Sequence, residues 1–119
     1  MTACANREGF WAFKYAGKHV EGFGKFVLET QRIVGADVYG GTWDGTYEYE
    51  AGGNFFHLEL SVNNPAGAVN VVSGPVGPDG RVEVLKLDLP NDFADQEILL
   101  DTYLCTFKVY CKKIRDWAD

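Results

Sequence analysis

His19 and His57 are the residues whose ordinary titration could supply a general base near neutral pH. His19 falls in a predicted turn. His57 falls on the outward face of a predicted strand, two residues from Glu59, and reads as a solvated surface histidine. Catalysis would also need a nucleophile or second acid within about 3 Å, and a pocket. The chain has neither a Gly-x-Ser-x-Gly elbow nor a Gly-x-x-x-x-Gly-Lys phosphate loop. Its glycine-rich stretches, residues 22–25 and 35–45, sit between strands, whereas a dinucleotide fingerprint leads into a helix. Cys4, Cys105 and Cys111 form no Cys-x-x-Cys pair, and no His-x-x-x-His spacing occurs, so no metal ligands are assigned. Cys105 and Cys111 lie on one predicted strand, which puts them about 20 Å apart. A disulfide needs less than about 7 Å. They read as small core hydrophobes of a reducing compartment. No catalytic residue and no cofactor is expected.

The residues point to binding instead. Alternation places Trp11, Phe13, Tyr15, Phe26, Trp43, Tyr47, Tyr49, Phe56, Tyr103 and Phe107 on inward faces. A packed core accounts for most of them. Four inward tyrosines are more than a dry core calls for, because each buried hydroxyl needs a partner. They suit either a cavity that holds a small apolar ligand or positions at the rim. On the outward face, Asp44, Glu48 and Glu50 form an acidic row. It is either a solvated surface or the docking site of a basic protein segment. Phe10, Phe23 and Val27 also point outward, on adjacent strands. Such an apolar patch suits the interface of a homodimer.

Short strands would position all of these. Residues 9–15 alternate, with Gly9, Trp11, Phe13 and Tyr15 on one face, and a turn follows at 16–19. Residues 21–29 place Gly22, Gly24, Phe26 and Leu28 together; the glycines make room for neighbouring rings or for a tight curl. Residues 33–38 form a short strand that Gly35 breaks. Residues 42–50 place Trp43, Gly45, Tyr47 and Tyr49 inward, and 51–54 is a hairpin turn. Residues 54–62 place Phe56, Leu58, Leu60 and Val62 inward. After a loop at 63–67 come a sixth strand at 68–73 and a long turn at 74–80. In the seventh strand, 81–89, the apolar phase slips between Val84 and Leu85. That implies either a β-bulge or burial on both sides. Residues 90–95 are a loop, with room for one helical turn ending near Leu100. The eighth strand spans 101–114. The expected fold is all-β: a single domain over residues 1–119, built as an eight-stranded antiparallel up-and-down β-barrel whose closure removes exposed edges. An open sandwich is the alternative.

The totals agree with a single domain. The chain has 119 residues, of which 46% are hydrophobic and 14% aromatic, and fourteen are glycines. A net charge of −6 repels phosphate backbones, and Lys112, Lys113 and Arg115 are too few for a nucleic-acid footprint. No apolar run reaches the roughly 18 residues of a membrane-spanning helix, and residues 1–8 lack the apolar core of a signal peptide. A cytoplasmic protein is expected.

Gly9-Phe10-Trp11 looks like the Gly-x-Trp opening of lipocalin-type barrels. The series Gly9-Phe-Trp-Ala-Phe13, Gly22-Phe-Gly24, Ile33-Val-Gly-Ala-Asp37 and Trp43-Asp-Gly-Thr-Tyr47 resembles the GrlR-like family, lipocalin-like negative regulators of type III secretion gene expression. The likeness covers roughly the first fifty residues. It implies a lipocalin-like barrel, a homodimer, and action by holding a transcriptional activator. In that family an acidic loop between the fourth and fifth strands is linked to partner binding. The corresponding segment here, residues 48–54, keeps Glu48 and Glu50 but lacks a contiguous acidic run.

Overall fold

The computed structural model describes residues 7–116, apart from 19, 51, 72, 103 and 104. His19, Cys4 and Tyr103 therefore lie outside the described residues. Ten strands follow in order: β1 (Gly9–Ala16), β2 (Glu21–Glu29), β3 (Arg32–Asp37), β4 (Thr42–Tyr49), β5 (Phe55–Asn64), β6 (Val69–Asn70), β7 (Gly74–Pro75), β8 (Arg81–Pro90), β9 (Glu97–Asp101) and β10 (Thr106–Arg115). Eight of them form one antiparallel sheet, in the order β8-β5-β4-β3-β2-β1-β10-β9. The sheet curls into a nearly closed barrel, as the alternating faces imply. Closure stops short of a ladder: β8 and β9 approach at the seam without pairing, so two edges remain.

Curling brings the inward side chains close, and the sequence answers with glycines opposite rings. Cross-strand pairs set Phe13 against Gly24, Tyr15 against Gly22 and Trp43 against Gly35. A Cβ on Gly35 would collide with the Trp43 indole, and one on Gly45 with the Glu59 carbonyl oxygen. Such rings covering glycines let a sheet coil without leaving voids. The tight turn from β2 to β3 puts Thr30 and Gln31 in the left-handed region (φ 46° and 65°). The Glu8 carboxylate accepts the Thr30 N–H at 2.6 Å.

Four details depart from the sequence reading. β8 has no bulge: its pairing with β5 runs unbroken from Phe55–Pro90 to Asn64–Arg81. The phase slips because Val82 and Val84 face outward, exposed at 66% and 57%, while Leu85, Leu87 and Leu89 face the core. The register shift falls instead between Phe10 and Trp11, against β10. Second, the strand expected at 68–73 is represented by β6, Val69–Asn70, which does not join the barrel. β6 and β7 form a separate two-stranded flap, and β5 pairs directly with β8. Third, the segment read as a loop with a helical turn contains β9. Ile98 and Leu100 pair opposite Val109 and Phe107, and Leu99 points out. Fourth, the last strand starts at Thr106, because Thr102 and Cys105 close a turn. The Cys105 N–H donates to Thr102 Oγ1 at 3.1 Å, and the Thr102 N–H donates to the Cys105 carbonyl at 2.8 Å. The sequence from 101 to 105 holds neither glycine nor proline, so the alternating pattern reads on without a break.

Candidate binding surfaces

The barrel is plugged at one end. Phe93, fully buried, stacks on Phe56 (centroids 5.5 Å apart) and lies 5.0 Å from Trp11. The Trp11 indole N–H donates to the Arg7 carbonyl at 2.9 Å, and the Arg7 guanidinium covers the Phe93 ring at 5.1 Å. Asp95 holds the plug in place through its N–H to the Cys111 carbonyl, at 2.8 Å. Tyr47 and Tyr49 belong to this end, 4.9 and 5.3 Å from Phe56. Burial pushes the Tyr47 hydroxyl above its ordinary pKa.

The opposite end carries the flap. Asn64 and Asn70, both buried, join there: Asn70 Nδ2 donates to Asn64 Oδ1 at 3.1 Å, and Asn70 Oδ1 accepts the Ser73 N–H at 3.1 Å. Ser73 Oγ donates to Glu83 at 2.9 Å and accepts from Arg81 at 2.7 Å. Arg81 in turn ion-pairs with Glu83. These bonds tie Asn70 and Ser73 to the β8 side of the mouth. Asp37 and Tyr15 lie at the same end. The Asp37 carboxylate accepts the Tyr39 and Gly41 N–H groups, each at 3.0 Å, and the Tyr15 hydroxyl at 3.1 Å. Burial, then the neighbouring Asp37 charge, raises the Tyr15 pKa.

Between plug and flap the barrel retains a cavity of about 120 Å³. Of the residues expected to contact a ligand, Phe13, Phe26, Trp43, Phe56 and Phe107 line it. Trp11, Tyr47 and Tyr49 lie off it, in the aromatic cluster around the plug. The tyrosines therefore mark the two ends of the barrel. Sequence reasoning missed Asp37 and Phe93, which also line the cavity. Asp37 was accessible to it, since it shares the phase of Ile33 and Gly35. Phe93 sits in a loop without periodicity. Cys111 lines the wall, and burial pushes its thiol up to about 12. It is protonated and unreactive at neutral pH.

The outer face carries a groove of about 990 Å³. Phe10 pairs with Val27 and Val27 with Val34, so β1, β2 and β3 lay an apolar row along it. Val82 and Ile114 add to the lining; Arg115 pairs with Phe10 at one end of the row, Asp44 with Val34 at the other, and Lys25 lies beside Val27 on β2. Phe23 is exposed but stands apart. It lies four residues from Val27 along β2, roughly 13 Å away.

The acidic row lies across β4, β5 and β8. Asp44 and Glu48 are exposed, and Glu48, His57 and Asp88 sit side by side in the ladders. His57 Nδ1 meets Asp88 Oδ1 at 2.5 Å, and His57 Nε2 lies 3.6 Å from Glu50. The Asp88 hydrogen bond, reinforced by the Asp88, Glu50 and Glu48 charges, raises the His57 pKa above 6.5. A raised folded-state value stabilises the protonated form. The contribution of His57 to stability is therefore complete below pH 6.5 and is lost as pH climbs through the raised value. Replacing His57 with glutamine should flatten the dependence of the denaturation midpoint on pH in that window. An unchanged slope would show that the pairing contributes nothing.

Among the described residues no group of His, Cys, Asp and Glu is placed to hold a metal ion, and no helix is long and apolar enough to cross a membrane. Compared with known proteins, the chain matches no family model, no curated protein and no solved structure.

Proposed function

We propose that the chain is a non-enzymatic interaction protein of the cytoplasm that works as a homodimer and holds a basic segment of a protein partner. A transcriptional activator is the kind of partner that the GrlR-like resemblance implies. The observation that carries this reading is the division of the outer face. An apolar groove runs through Phe10, Val27 and Val34, and beside it lies an acidic surface of Asp44, Glu48, Glu50, Glu59 and Asp88. A second copy suits the groove. Lys25 lies beside the apolar row on β2 and Asp44 ends it on β4, and among the described residues neither forms an ion pair. A two-fold axis through the row would set Lys25 of each copy against Asp44 of the other, as an isologous interface requires. The acidic surface then stays open to steer a basic segment onto the dimer.

Light scattering tests the dimer. The unaltered protein should have twice the chain mass, and Val34→Glu should give the chain mass while staying folded, with a melting point that no longer depends on protein concentration. Val34 is half exposed, so the substitution leaves the barrel core intact. A monomeric unaltered protein would sink the reading.

The cavity favours a second reading, an intracellular sensor or carrier of a small hydrophobic ligand. At about 120 Å³ it falls well below the roughly 300–1,000 Å³ of drug-sized sites, so a fatty acid does not fit.

A further inference from the structure

We propose that the barrel cavity binds a small organic amine, with Asp37 as the counter-ion of its ammonium group. This rests on the ligand reading and names the ligand class. Asp37 is the one charged side chain lining the cavity; all the other described lining residues are neutral. No Lys, Arg or His among the described residues pairs with it. Its partners are two backbone N–H groups and the Tyr15 hydroxyl, which are neutral donors. Asp37 is half-buried at the flap end of the cavity, and none of these partners carries a positive charge. The charge of Asp37 is thus hydrogen-bonded but not neutralised by any described residue.

The surroundings suit an ammonium group. Phe13 stands between Tyr15 and Trp43, at 5.9 and 5.3 Å between centroids, and all three rings line the cavity beside Asp37. Aromatic rings attract cations through their quadrupole, most strongly where water is excluded. Tyr15 gives its proton to Asp37, so its oxygen lone pairs remain available to accept from an N–H. The rest of the wall is aliphatic and aromatic: Leu58, Leu60, Leu85, Leu87 and Phe56 among others. Size sets the body of the ligand. An apolar cavity of about 150 Å³ accepts benzene in another protein. One ring or a short branched alkyl group carrying the amine is therefore the limit here.

A matched series of one-ring probes tests this by calorimetry: benzylammonium, benzyl alcohol and benzoate at neutral pH. The expected order is benzylammonium tighter than benzyl alcohol by at least about tenfold, with benzoate not bound. Asp37→Asn retains an oxygen for the turn and should abolish the advantage of the amine while benzyl alcohol still binds. Should that variant fail to fold, the series on the unaltered protein decides. Equal affinity for amine and alcohol overturns the amine assignment but leaves the ligand reading standing. An amine advantage that survives in Asp37→Asn also overturns it. If no probe binds, both readings fall.

Discussion

Replacing Phe93 with alanine should lower the unfolding free energy by about 3–5 kcal/mol, the range for a fully buried phenylalanine. The ring touches both sides of the plugged end: Phe56 on β5, Trp11 on β1, and the Arg7 guanidinium above it. The hole it leaves cannot collapse easily, because its walls are strands fixed by ladder hydrogen bonds. It would join the existing cavity, which Phe93 already lines. Urea unfolding should therefore show a lower midpoint with an unchanged slope. Tryptophan emission should also change, since Trp11 loses its 5.0 Å neighbour. A loss under about 1 kcal/mol would show that Phe93 does not carry the closure.

Gly45→Ala should be as damaging, although it adds a single methyl group. In most strands alanine in place of glycine is favourable by roughly 0.5–1 kcal/mol, because the unfolded chain has less freedom to lose. Here the sign reverses. The new Cβ would strike the Glu59 carbonyl oxygen, which belongs to the backbone of the paired strand and cannot rotate away. β4 and β5 must separate locally, straining the packing and weakening ladder bonds, for a net loss on the order of 3 kcal/mol. Gly77→Ala is the control. Nothing lies within 4 Å of its Cβ, so the melting point should hold or rise slightly. If both variants melted together, steric approach at Gly45 would not be what shapes the sheet.

Much of the barrel is legible in the chain because the first five strands alternate cleanly. Trp11, Phe13 and Tyr15, then Phe26 and Leu28, then Phe56 to Val62 in steps of two, all point where period-two reading puts them. Misreading begins where local pattern and environment part. Val82 and Val84 are β-branched and apolar yet face out, which mimics a bulge. Ile98-Leu99-Leu100 is apolar throughout, so nothing in it shows which residue faces out, and β9 passes for loop. At the site, the aromatic lining is visible by phase. Asp37 carries the inward phase of Ile33 and Gly35, so its place is visible too, although a carboxylate is not the residue type sought there. The plug is hidden: Phe93 is placed by contacts with residues far away in sequence, and no spacing records those.

The unpaired seam between β8 and β9 bears on how the barrel is assembled. Every other neighbour in the sheet except one is joined through a hairpin or, for β5 and β8, across the flap. The exception is β1 with β10, which start and finish the described strands. The sheet order is simply the chain order with its origin moved to the seam. During synthesis β1 to β5 can zip as successive local hairpins, while the outer edge of β1 waits for β10, whose first residue follows about ninety residues after the end of β1. That distant pairing closes the longest loop in the sheet and carries the largest closure cost of any single pairing, which slows folding. Until it forms, β1 is an open edge with Phe10 beside it, which makes the newly made chain, more than the finished barrel, the state most exposed to aggregation and most in need of chaperoning.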